Sequence, residues 1–119
     1  MGNYKTNSVI WYEVLGQDPK KLRGFFSKLF GWEYKDAPGM DYGMTDPEAT
    51  GIGGGIGAAP GNPSWATFYV AVQNLESTIK LAKQLGGKEL MPVTKLPDVT
   101  LAVIEDPEGH PVGLVEQAA

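Results

Sequence analysis

The chain repeats itself, and that repetition limits what its 119 residues can build. Asp18-Pro19 opens a segment in which Leu22, Phe25, Phe26, Leu29 and Phe30 recur at helical spacing, and Gly31 closes it. Asp18 offers an N-cap acceptor, Pro19 suits the first helical position, and Gly31 suits the left-handed turn that ends a helix. Asn74 opens a second such segment 56 positions later, with Leu75, Ile79, Ala82 and Leu85 on one stripe and Gly86-Gly87 as the stop. Each helix follows an apolar, β-branched and aromatic run, Val9 to Val14 before the first and Trp65 to Val72 before the second.

Three strand-like pieces follow each helix. They are Trp32 to Lys35, Tyr42 to Thr45 and Gly51 to Gly57 in the first half, and Lys88 to Val93, Thr100 to Glu105 and Pro111 to Gln117 in the second. Asp46-Pro47-Glu48 and Asp106-Pro107-Glu108, 60 positions apart, read as hairpin turns before the last strand of each half. The pattern predicts two βαβββ modules, 8–57 and 64–117, joined by a linker at 58–63 whose Ala58-Ala59-Pro60-Gly61-Asn62-Pro63 has no periodicity. Either half alone buries too little apolar surface, so both are expected to pack into one domain over 1–119.

Composition narrows the function. Hydrophobic residues make up 42% and charged residues 20%, an ordinary globular balance. Cysteine is absent, which removes disulfides, thiolate nucleophiles and sulfur-ligated metals. The polar run from Met1 to Ser8 and the lack of a long apolar stretch predict a cytoplasmic chain with no membrane partner. A net charge of −4 argues against nucleic acid, because duplex binding depends on Lys and Arg neutralising phosphates. Lys20, Lys21, Lys28, Lys80 and Lys83 read as solvated helix faces.

Gly51-Ile52-Gly53-Gly54-Gly55-Ile56-Gly57 is not a phosphate cradle, since no helix start follows it. It reads as a strand that allows close backbone approach or a bulge. Strand alternation places Val9, Trp11 and Glu13 opposite Ile10, Tyr12 and Val14, and Trp65, Thr67 and Tyr69 opposite Ala66, Phe68 and Val70. The apolar Ala66, Phe68 and Val70 set is expected under a helix. Trp11, Glu13, Trp65, Thr67 and Tyr69 suit a ligand cavity of mostly apolar walls with a few polar groups. Equally, Trp11 and Trp65 could fill the interior with Glu13 paired at an edge.

The opening "IWYEV...DPKKLRGFFSKLFGWEY", the middle "SWATFYVAVQNLESTIKLAKQLGGKEL" and the ending "LAVIEDPEGHPVGLVEQ" together resemble the glyoxalase / bleomycin resistance / extradiol dioxygenase superfamily, the vicinal oxygen chelate proteins. The resemblance implies an α+β fold, an incompletely closed eight-stranded barrel of two βαβββ modules with helices outside. It also implies paired chains, and hence a homodimer. Enzymes of that superfamily usually hold one divalent metal with His and Glu residues on the first and last strands of each module. Here the matching positions fall on Val9 or Trp11, on Trp65 or Thr67, around Gly53 to Gly55, and around Gly113. Glu116 lies three residues beyond Gly113, on the opposite face of an unbulged strand. The one histidine, His110, falls in a turn.

No metal or other cofactor is therefore expected. The leading reading is a metal-free binder of a small molecule, similar to the antibiotic-sequestering branch of the superfamily. A second is a metal-independent lyase, isomerase or hydrolase with Glu13 as catalytic acid or base. A third is an assembly-only subunit.

Overall fold

A computed structural model of the chain describes residues 4–59 and 64–117. Most of the expected linker, 60–63, lies outside the described residues. The elements are β1 (Val9–Gly16), α1 (Pro19–Phe30), β2 (Lys35–Asp36), β3 (Tyr42–Thr45), α2 (Pro47–Thr50), β4 (Gly54–Ala58), β5 (Trp65–Val72), α3 (Leu75–Gln84), β6 (Lys88–Lys95), β7 (Thr100–Glu105) and β8 (Pro111–Glu116). Among the described residues, eight strands and three helices make an α+β fold. The strands pair in both senses, and hydrogen bonds do not close them into a barrel. The residues form two compact units, one from Trp11 to Thr67 and one joining the N-terminal residues up to Ile10 with Phe68 onward.

In the first of these units the strand order is β2-β3-β4-β1. β1 runs parallel to β4, while β4 with β3 and β3 with β2 are antiparallel. Tyr12, Gly54 and Thr45 stand abreast, as do Glu13, Gly55 and Met44. The caps of α1 match their sequence signals: Asp18 accepts from the Lys21 N–H at 3.1 Å, and Gly31 takes a left-handed φ of 74°. The apolar arc of α1 is wider than the strip the sheet covers. Leu22 and Phe26 are half-buried, whereas Phe25, Leu29 and Phe30 are 57–58% exposed.

The other unit has the same topology, with order β5-β8-β7-β6: β5 is parallel to β8, and the remaining pairs are antiparallel. Its core joins Leu75 and Ile79 of α3 to Val72, Ala102 and Leu114, with Val70 and Ile104 packed against them. Burying each of the two helix side chains contributes about 1.5–3 kcal/mol. The Asn74 side chain caps α3 by accepting from the Ser77 N–H at 2.8 Å.

Two expectations need correction. The helix covers only the Val70 end of the Ala66, Phe68 and Val70 face: Ala66 is exposed and Phe68 is 43% exposed. The reason is register, because α3 begins at Leu75 and packs over the last residues of β5. The two Asp-Pro-Glu segments also differ. Asp46 caps the short helix α2, accepting from the Glu48 N–H at 2.8 Å, with Gly51 donating back to the Pro47 carbonyl. After Asp106 the chain instead turns at once, because Gly109 follows Glu108 directly and takes φ 89°.

Candidate functional site

One face of the Trp11–Thr67 unit collects the polar chemistry. Trp11, Glu13 and Leu15 on β1 share it with Tyr42 and Met44 on β3 and with Gly55 and Gly57 on β4. The opposite face meets α1: a Cβ on Gly16 would strike Leu22, and one on Gly43 would strike Arg23 and Tyr34. The glycine run lets side chains lie flat on β4. A Cβ on Gly55 would stand 2.1 Å from the Tyr42 ring, and one on Gly53 would stand 3.4 Å from the Trp11 ring.

Two polar hydrogens converge on Glu13, and a third backs one of them. The Tyr42 hydroxyl donates to its Oε2 at 2.9 Å, and Trp65 Nε1–H points to its Oε1 at a long 3.5 Å. Trp11 Nε1–H donates to the Tyr42 oxygen at 2.9 Å, so that phenol accepts from one neighbour and donates to the next. Glu13, Tyr42 and both indoles are half-buried. Of the residues singled out from sequence, Trp65 thus reaches Glu13 directly, whereas Trp11 is joined to it through a residue that was not, Tyr42. Tyr42 carried one usable signal, an aromatic on a short strand beside a run of glycines whose bare backbone a ring can cover.

Thr67 belongs to the same unit and is buried at 9% exposure. Tyr69 belongs to the other unit, where it is 5% exposed with its ring across Gly113. The helix-side phenols are of a different kind. Tyr12 pairs with Thr45 Oγ1 at 2.7 Å, and Tyr34 donates to the Arg23 carbonyl at 3.0 Å. Burial pushes both above the ordinary tyrosine range, so they stay protonated near neutrality.

His110 and Glu116 have local partners. His110 is exposed in its turn, with Nδ1 3.0 Å from Asp106 Oδ2. Glu116 faces the α3 side of β8, where its Oε2 accepts from the Leu75 N–H at 3.0 Å and so serves the start of the helix.

Residues 13–115, nearly the whole chain, match the glyoxalase-like domain family. The chain belongs to that family. Among similar proteins is CFP32, a candidate glyoxylase by its name, from Mycobacterium bovis and Mycobacterium tuberculosis; each is 28% identical over 93% of this chain. The chain spans 46% of the length of these relatives. Among solved structures, a glyoxalase/bleomycin resistance protein/dioxygenase superfamily member from Vibrio splendidus aligns with TM-score 0.65 and 15% identity, covering 95% of this chain and all of that one. Methylmalonyl-CoA epimerase from Mycobacterium tuberculosis aligns with TM-score 0.64 and 10% identity, covering all of this chain and 94% of that one. These two likenesses show the fold.

The metal that the glyoxalase-like superfamily usually carries does not fit the residues present. At the closing-strand positions, Gly55 lies under the Tyr42 ring and Gly113 under the Tyr69 ring, where a Cβ would come within 2.3 Å of the aromatic carbons. Neither position can carry a donor side chain unless its tyrosine moves. Among the described residues, no three His, Cys, Asp or Glu side chains cluster to hold an ion.

Proposed function

We propose that this glyoxalase-like chain binds a small molecule on the face of Trp11, Glu13, Tyr42 and Trp65, without a catalytic metal. The observation that carries the reading is the half-buried Glu13 carboxylate, oriented by Tyr42 and Trp65 among aromatic walls. Apolar walls with one or two fixed polar groups are the usual composition of a ligand site. Thr67, in the same unit, joins the proposed set; Tyr69, in the other unit, is proposed as a ligand-binding residue of that unit. The shared topology of the two four-stranded groups supports reading 8–57 and 64–117 as copies of one module, joined through 58–63 within a single domain 1–119. We also propose a homodimer that works in the cytoplasm, away from nucleic acid and membrane. No helix among the described residues is long and apolar enough to cross a membrane.

One observation favours an enzyme as the second reading. The Trp11, Tyr42 and Glu13 hydrogen bonds run in one direction and end on a carboxylate, an arrangement that can take up a proton from a bound substrate. The glyoxylase and epimerase names of the similar proteins agree with a lyase or isomerase, and a hydrolase is the third form of this reading. A thermal-shift screen of a metabolite library against wild type and Glu13→Gln tests the binding proposal. Compounds that stabilise wild type and lose that effect in the variant support it, and a library that stabilises neither protein overturns it.

A further inference from the structure

We propose that α1 is a docking surface for an acidic, amphipathic helical segment of a partner protein. The helix packs on the sheet face opposite Glu13, so this surface stands or falls apart from the ligand face. Phe25, Leu29 and Phe30 are 57–58% exposed along it. The two aromatics are held in place: the Phe25 ring meets Phe26 edge-on at 5.1 Å, and Phe30 lies 5.2 Å from Trp32. Rings already fixed by their neighbours lose little freedom when a partner covers them, which suits an interface anchor. Phe25 and Leu29, one turn apart, form a ridge, and Gly24 leaves a groove beside it. Among the described residues, nothing would come within 4 Å of a Cβ on Gly24. The hollow there measures about 650 Å³, with Lys20, Lys21, Phe25 and Lys28 on its rim. All four rim residues are exposed, so the hollow does not enclose a small molecule, whereas a ridge beside a groove fits a second helix.

Charge selects the occupant. α1 carries Lys20, Lys21, Arg23 and Lys28 and no acid, which gives it +4 in a chain of net charge −4 and leaves −8 elsewhere. Arg23 is paired with Asp41 at 2.8 Å, whereas among the described residues no ion pair engages the three lysines. Lys20 and Lys21 also sit in the first turn, where the helix dipole favours acids, so their charge does not serve the helix itself. The same face on a second copy would set three lysines against three. The acidic remainder of the chain opposes close approach to an anionic lipid surface or to nucleic acid. A short acidic segment laid along α1 meets the lysines alone.

The test titrates three synthetic peptides of about 15 residues, long enough to hold some helix in water, into the full chain at low salt. Two share leucines at i, i+3, i+4 and i+7, with glutamate filling most other positions in one and lysine in the other. The third scrambles the glutamate peptide and so loses the apolar face. Binding is read from the backbone amide resonances of the labelled chain. The glutamate peptide is expected to shift Gly24, Phe25 and Leu29 and to bind about tenfold tighter than the lysine peptide, the joint worth of three exposed ion pairs. The scrambled peptide should bind more weakly as well. Lys20→Glu combined with Lys21→Glu should remove the preference for glutamate, and acids at that end of α1 suit the dipole, so the variant should fold. In wild type, added salt should narrow the gap without any substitution. Equal binding of the lysine or the scrambled peptide overturns the proposal, as does a glutamate peptide that leaves the three amides unmoved at millimolar concentration. Shifts of those amides with chain concentration alone would name a second copy as the occupant. Shifts with phosphatidylserine vesicles but not with the glutamate peptide would name a lipid surface. Either result overturns the acidic segment.

Discussion

Tyr69 lies across Gly113 so closely that a Cβ on the glycine would stand 2.3 Å from its ring. The two residues are abreast on parallel strands, and Val103 flanks Gly113 on its other side. Gly113→Ala should therefore overpack a buried site and cost about 1–3 kcal/mol. In the Tyr69→Ala background the same change should cost far less, since the ring it strikes is gone. Chemical denaturation of the four proteins measures this coupling, and additive costs would contradict the contact.

The same closeness bears on metal. With Gly55 and Gly113 covered by Tyr42 and Tyr69, these two closing-strand positions offer no side chain to an ion. Purified chain, dialysed and analysed for elements, should carry far less than one Zn, Ni, Fe or Mn per molecule. A stoichiometric metal would overturn the metal-free reading.

Much of this arrangement was legible in the residues. The 56-residue spacing of Asp18 and Asn74 marked the N-caps of the helices α1 and α3, and alternation alone placed Trp11 and Glu13 on one face. Their link through Tyr42 was not legible, because it depends on β3 pairing with β4 in the register Tyr42 to Gly57. Helical periodicity likewise marked Phe25, Leu29 and Phe30 as one apolar stripe with Leu22 and Phe26. It could not say how wide a strip the sheet would cover, and these three remain 57–58% exposed.

That exposed stripe bears on assembly. Large apolar side chains left in water favour association, and β6 is the outer strand of its sheet. Sedimentation from micromolar to near-millimolar chain should give the mass of a dimer. Phe25→Lys should shift that equilibrium toward monomer if α1 takes part. A monomer throughout the range would refute the proposed homodimer.

Asp106 gives a pH dependence of definite sign. Its carboxylate accepts from the His110 backbone N–H at 2.9 Å, and from the His110 ring and the Glu108 N–H. The His110 backbone bond leads in holding it below the ordinary aspartate range, against an opposing desolvation. A carboxyl with a lower pKa folded than unfolded favours the folded state above its unfolded pKa. That contribution disappears as the pH falls through the folded value. Asp106→Asn should therefore flatten the loss of stability on acidification while leaving His110 in its turn. Melting curves collected down through the carboxylate range decide it, and identical acid slopes in the two proteins would count against this role.

Glu13 and Trp11 supply the test that separates a ligand site from a structural cluster. In Glu13→Gln the amide oxygen can still accept from Tyr42, so the fold should lose only the difference between a charge-assisted and a neutral hydrogen bond, about 1 kcal/mol. Binding should fall much further, because the site loses the carboxylate proposed to contact the ligand. Trp11→Ala removes both a half-buried indole and the donor to the Tyr42 oxygen. It should cost roughly 2 kcal/mol of stability, about half the usual penalty for a fully buried Trp, and should weaken binding as well. The two variants thus differ in kind, one harming recognition alone and the other both recognition and packing. Calorimetric titration with a ligand found in crystals of the untreated protein, set beside melting temperatures, reads both effects. If Glu13→Gln binds that ligand as tightly as wild type, Glu13 is a structural residue at a strand and the binding face lies elsewhere.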